Sequence, residues 1–204
     1  MKFKKHVTPH GEVLLYNGAP NLELLDVVSQ EAGDLWHSSL DQGYTNCFQE
    51  LMYQTAVFWW LLNDFENQNK AVCWRVNPFA FVIRETVWEQ LNGLDLQYES
   101  TIMSGIDFGY NFVRNQGGIP LYIKDLFQPE VNNIQISSID RFTFFFKNFK
   151  PHHAFYMVLR KGFLKFPLEF KGYLMAKKVA VRYKHKSIQP RALKAIKGEP
   201  TVSL

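Results

Sequence analysis

The sequence predicts an α/β protein, a mixed sheet flanked by helices, followed by a basic helical extension at the carboxy terminus. Three observations carry that prediction. Short apolar runs bounded by Gly, Pro and Asn alternate with segments whose apolar residues recur at helical spacing, the order expected of strands and helices packed in layers. A hydrophobic content of 47%, with 16% aromatic residues, gives 204 residues enough apolar surface for one sizeable core. Charge divides the chain near residue 140. Residues 1–140 hold 8 Lys+Arg against 17 Asp+Glu and residues 141–204 hold 15 against 2; the balances of −9 and +13 make up the whole-chain +4. We therefore expect an α/β domain over 1–140 and a helical extension over 141–204, with an anionic partner for the latter.

The elements follow in order. Met1 to Lys5 has the basic start of a signal peptide, but the next residues run His6 to His10 through a proline, where an apolar segment would have to stand. The longest uninterrupted apolar run, 56–62, is far short of the roughly 18 residues a spanning helix needs. With Cys47 and Cys73 forming neither a metal spacing nor a disulfide framework, the expected location is cytoplasmic. Residues 12–16 read as a strand and 17–20 as a turn. From Cys47 on, Phe48, Leu51, Met52, Thr55, Trp59 and Leu62 recur at helical steps, with Asn46 placed to cap. Residues 71–76 and 79–83 read as strands separated by Asn77-Pro78, which cannot lie inside a paired central strand. A short helix over 85–91 ends at Asn92-Gly93, 119–123 returns as a strand, and 125–138 is mostly loop.

The stretch from 79 to 126 is the most specific. An apolar run ending in Arg84 leads through the short helix to Gly93-Leu94-Asp95, then to Ser104-Gly105-Ile106-Asp107, then to a helix closed by Gly117-Gly118 before the next strand. This order resembles the acceptor-side half of inverting glycosyltransferases of the GT-A fold, family 2-like. The resemblance implies a GT-A-like sheet and transfer of a sugar from a nucleotide sugar to a saccharide or lipid-linked acceptor, as in surface polysaccharide synthesis. It makes Asp107 the catalytic base, taking the proton of the acceptor hydroxyl. It makes Asp95 an acceptor contact, Arg114 the counterpart of the family's helix arginine, and His37, in Asp34-Leu-Trp-His37, a neighbour of the donor. Trp88 and Trp74 offer ring faces on which a sugar could stack, or else belong to the core. Ser104 to Asp107 also fits a capping box at a helix start, a structural role compatible with the catalytic one.

The chain departs from that family in one respect. Its members hold the diphosphate through Mg²⁺ or Mn²⁺ on an Asp-x-Asp motif, and this sequence has none; the nearest triplet is Asp64-Phe65-Glu66. His6 and His10 straddle Pro9, and no further ligand completes a set there or at His152-His153, so no metal site and no cofactor is expected within this chain. A donor-binding protein partner would then supply metal and nucleotide. The alternative is a non-catalytic protein that binds a saccharide or a fuller glycosyltransferase. In the tail, Phe142, Phe144, Phe145, Phe146 and Phe149 interleave with Lys147 and Lys150. Leu168, Met175, Val179 and Tyr183 then line up beside Lys171, Lys178, Arg182 and His185. That composition suits a helix lying on an anionic membrane surface, giving a peripheral position on its inner face, or a helical pair packed on the sheet. Nucleic acid is ranked last as a partner because no recognition motif accompanies the cations.

Overall fold

The computed structural model of the chain describes residues 2–37, 69–128, 136–159 and 163–181. The helix expected from Cys47 onward and the Asp64-Phe65-Glu66 triplet lie outside the described residues. The sheet is mixed and six-stranded: β1 (Lys4–Val7), β2 (Val13–Asn17), β3 (Leu35–His37), β4 (Lys70–Val72), β5 (Phe81–Arg84) and β6 (Pro120–Ile123), in the spatial order β1-β2-β5-β3-β6-β4. Only β3 and β6 run parallel; the other neighbours are antiparallel. The basic amino terminus, read as the opening of a targeting segment that fails, is an edge strand, with Lys4 opposite Tyr16. The strand expected at 71–76 is assigned only over Lys70–Val72; the Cys73 amide still donates to the Pro120 carbonyl at 3.0 Å, and a tight turn at Arg75, with the Val76 amide donating to the Trp74 carbonyl at 2.9 Å, ends it.

Alternation along the strands assigns each side chain to a face of the sheet. Leu14, Trp36 and Val82 point to one side and pack on Leu25 and Val28 of α1 (Leu22–Val28), whose first turn is capped by the Asn21 side chain. Leu15, Leu35, Phe81 and Ile83 point to the other side and meet Phe108 and Phe112. Arg84 closes β5 after a purely apolar run and precedes α2 (Glu85–Trp88), yet it is fully buried. Its Nε donates to the Gly33 carbonyl at 2.7 Å and its Nη2 to the Ser29 carbonyl at 2.8 Å. The guanidinium also lies over Trp36, 4.6 Å from the ring centroid, and pairs with Glu12. This arginine ties the loop before β3 to the sheet.

The second helix of the motif region is α3 (Thr101–Asn111), continued by a π-helical turn over Phe112–Gln116 and stopped at Gly117, where φ is +78°. Ser104 and Asp107 therefore stand in mid-helix, and the capping box expected there does not form. Ser100 is the N-cap residue, and Ser104 Oγ instead donates to the Asp95 carbonyl at 2.6 Å. The glycines of this helix serve close approach. A Cβ on Gly109 would sit 1.9 Å from the Trp74 carbonyl oxygen, and one on Gly105 2.7 Å from that of Val76. The segment 74–78 is pressed against them, at points one helical turn apart.

The carboxy-terminal helices are α4 (Ser138–Asn148), α5 (Pro151–Leu159) and α6 (Phe166–Val179). The charge boundary at residue 140 falls inside α4. Phe142, Phe144, Phe145 and Phe146, which composition offered to a membrane surface, are buried with Ile102, Met103, Ile106 and Tyr110 of α3 and with Met157 and Ala176 of α5 and α6. Four of the buried side chains of α4 are phenylalanines, so burial of these rings is its main source of stability. Among the described residues, no helix is long and apolar enough to cross a membrane.

The glycine contact gives a direct test. Gly109→Ala should destabilise the protein by about 3 kcal/mol, the upper end for overpacking against an unyielding partner, because the obstructing atom is backbone. Gly117→Ala, whose Cβ meets nothing within 4 Å, should cost only about 1 kcal/mol through its positive φ. Urea denaturation of both variants measures the difference, and equal losses would contradict the packing described.

Candidate functional site

Asp107 lies in the second turn of α3, on the side that faces α4. It is 3% exposed, and both carboxylate oxygens are engaged. Oδ2 meets the Lys147 ammonium at 2.6 Å; Oδ1 accepts from Asn148 Nδ2 at 2.6 Å and from Asn111 Nδ2 at 3.1 Å. Lys147 is itself buried and forms a second ion pair with Asp95, so one ammonium joins two carboxylates from two segments. The Tyr98 ring completes the enclosure, its centroid 4.8 Å from the Lys147 nitrogen. A buried cation is costly unless paired and hydrogen-bonded, and Lys147 meets that condition with two anions and an aromatic face.

The loop carrying Asp95 is held by its own set of bonds. Asp95 Oδ1 accepts from the Gln97 amide at 2.9 Å, closing a local turn. Asp140, on the first turn of α4, accepts from the Glu99 and Ser100 amides, each at 2.8 Å. Burial raises the Asp140 carboxyl above its ordinary range, and those two amide bonds oppose the rise. α4 thus grips the segment 95–107 within its length, through Asp140 on the Glu99 and Ser100 amides, and at both ends, through Lys147 on Asp95 and Asp107.

This arrangement opens on a pocket of about 490 Å³. Its wall combines Asn92, Asp95, Gln97, Asp107, Asn111, Gln116 and Lys147 with the apolar surfaces of Leu94, Leu96 and Phe108. A second hollow of about 530 Å³ shares Gly93, Leu94 and Leu96 with it and is lined further by Phe3, Trp88 and Tyr98. The Tyr98 hydroxyl is buried without a hydrogen-bond partner of ordinary geometry. Burial, and next the negative charge of Asp107, push its pKa well above 10.0.

Of the residues singled out in the sequence, Asp95 and Asp107 meet in the first pocket and Trp88 lines the second. Trp88 also packs against Phe3, with centroids 4.8 Å apart, and so belongs partly to the core. His37 stands elsewhere: it is fully buried on β3 and donates from Nε2 to the Cys73 carbonyl at 2.9 Å. Arg114 is exposed on the π-helical turn and is not among the residues lining either pocket. Trp74 is core, edge-on to Tyr110. Sequence reasoning missed Lys147 as a site residue, having assigned it to the cationic edge of the tail, and missed Asn148, Asn111 and Tyr98. The available signal was the Lys147-Asn148 pair interrupting the phenylalanine-rich face of α4.

Among the described residues, no group of three His, Cys, Asp or Glu side chains could hold a metal ion. The two converging carboxylates do not fit a divalent cation, since the Lys147 ammonium already lies between them. Comparison with protein-family models, with curated proteins and with solved structures found no match.

The buried tyrosine makes a prediction about alkaline stability. Above pH 10 the unfolded chain loses the Tyr98 proton while the folded chain keeps it, so the unfolded state binds fewer protons and stability falls as pH rises. Tyr98→Phe removes this contribution. At pH 7 it should change stability little, because the hydroxyl's approach to the Asp107 carboxylate falls outside ordinary hydrogen-bond geometry. In urea titrations from pH 9 to 11 the variant should lose stability less steeply than the wild type; parallel curves would refute the assignment.

Proposed function

We propose that this chain is the acceptor-binding part of a glycosyltransferase of the GT-A type. It binds a saccharide or lipid-linked saccharide, while a nucleotide sugar is held by a donor-binding partner or by segments outside the described residues. The observation that supports this reading is the convergence of Asp95 and Asp107, drawn from two separate motifs, on a single pocket rich in amides and carboxylates. Such groups suit a ligand covered in hydroxyls, and Leu94, Leu96 and Phe108 suit the C–H faces of a sugar ring.

In the proposed reaction an acceptor hydroxyl approaches Asp107. As its oxygen bonds to the anomeric carbon, its proton passes to the carboxylate; the bond from that carbon to the diphosphate breaks on the opposite face, its electrons leaving with the nucleotide. Asn111 and Asn148 hold the carboxylate plane, and Lys147 joins it to Asp95. The hydroxyl must compete with Lys147 for Asp107, a movement of the lysine toward Asp95 being the simplest way to make room. No step depends on a metal held by these residues.

The same hydrogen bonds favour one other reading. With both oxygens of Asp107 engaged, the residue can serve as a structural clasp beneath a saccharide-binding pocket that performs no transfer. Asp107→Asn separates the two. Labelled sugar transfer from UDP- or GDP-sugars to endogenous acceptors is measured in membranes from a strain lacking this chain, after adding wild type or variant. On the transfer reading, wild type restores incorporation and the variant loses about 10²- to 10⁴-fold of it, beyond any loss explained by melting. On the clasp reading, the wild type restores no incorporation, and the variant loses oligosaccharide binding only in proportion to its stability.

A further inference from the structure

We infer that residues 163–165 of the connection that leads into α6, together with the outer face of α6, dock on an anionic lipid bilayer. Phe163 and Leu164 stand side by side in that connection, 98% and 99% exposed. Single apolar residues scattered on a surface need no explanation, but an adjacent aromatic and aliphatic pair with no packing partner does. The apolar surface continues on both sides. Tyr156 and Leu159 are exposed on the last turns of α5, and Leu168 and Met175 on α6. More than half of the large apolar side chains that are exposed among the described residues lie between 155 and 181.

Charge selects the occupant. Along α6, Leu168, Lys171, Met175 and Lys178 succeed one another at steps of three and four, so apolar and cationic groups alternate on one exposed stripe, and Lys165 flanks the apolar pair. Glu169, the one acid from 150 to 181, is buried and turned inward, both carboxylate oxygens accepting from Arg141 Nη2 at 2.7 Å. The outward face therefore offers cations without a carboxylate to repel phosphate. A second copy would bring like charge against like, whereas an anionic bilayer offers headgroups to the lysines and an acyl boundary to Phe163 and Leu164. The inserting residues are those of the helix connection, while the phenylalanines of α4 are interior. This inference requires nothing of the pocket or of Asp107.

Flotation of the full chain with vesicles tests it. The protein should bind phosphatidylglycerol vesicles, bind phosphatidylcholine vesicles at least about tenfold less, and be released as salt shortens the screening length. The double variant Phe163→Asp with Leu164→Asp should lower binding to anionic vesicles by at least about tenfold, with an unchanged melting temperature because neither side chain packs on the fold. Lys171→Glu with Lys178→Glu should reduce the preference for the anionic lipid. Equal binding to both lipids, no binding to either, or undiminished binding by the double aspartate variant would overturn the inference. So would a concentration-dependent dimer that the same variant dissociates, since the surface would then belong to a second copy. If the aspartates lower the melting temperature, the serine pair at the same positions replaces them, and full vesicle binding by that folded variant would count against the bilayer.

Discussion

The buried ammonium of Lys147 is the interaction on which the rest of the carboxy-terminal half depends. A lone cation in an apolar interior is disfavoured strongly enough that α4 can settle on α3 only in a register that delivers Lys147 to Asp95 and Asp107 together. The phenylalanines around it supply most of the attraction between the helices but little directional preference. The ion pairs supply the direction. Replacing Lys147 would leave two carboxylates without their shared counter-ion, a heavier loss than removing all three charges together.

A second constraint acts from the opposite side of α3. Gly105 and Gly109 let the chain from Trp74 to Val76 lie directly on the helix backbone, so α3 is fixed between that segment and a helix. Asp140 and Ser104 then fix the loop 95–100 by its amides and by the Asp95 carbonyl. The pocket inherits its shape from these backbone contacts, and its polar groups are set in place before any ligand arrives.

Much of the sheet was legible in the sequence because its inner strands are short apolar runs bounded by turn residues. The strands predicted at 12–16, 79–83 and 119–123 correspond to Val13–Asn17, Phe81–Arg84 and Pro120–Ile123, within the displacement usual at element ends. β1 was obscured by its lysines, which suit an exposed edge but not a pattern search, and β3 is too short to show alternation. Asp95 and Asp107 were legible as candidates because they stand in short motifs. Their shared lysine was not, since residues 40 and more positions apart are brought together only by packing. Ser104 misled for a definite reason: in sequence Ser104 to Asp107 has the look of a capped helix start, while in the fold it lies within a helix that Ser100 begins and that Gly105 and Gly109 make thin for a neighbour.

Two glycines also leave α3 with little helical preference of its own, each costing about 1 kcal/mol relative to alanine in a helix interior. That deficit bears on the order of assembly. A chain leaving the ribosome exposes Asp95 and Asp107 well before Lys147 has been synthesised, and α3 has at that moment neither the intrinsic propensity nor the partner to hold its form. The strands can pair meanwhile through residues already present, since all six, β6 included, precede α4 in the chain. The two acids therefore stay in water during the stage when a half-formed site would be most exposed to wrong partners, and the pocket comes into being in one late step, when α4 brings its lysine home.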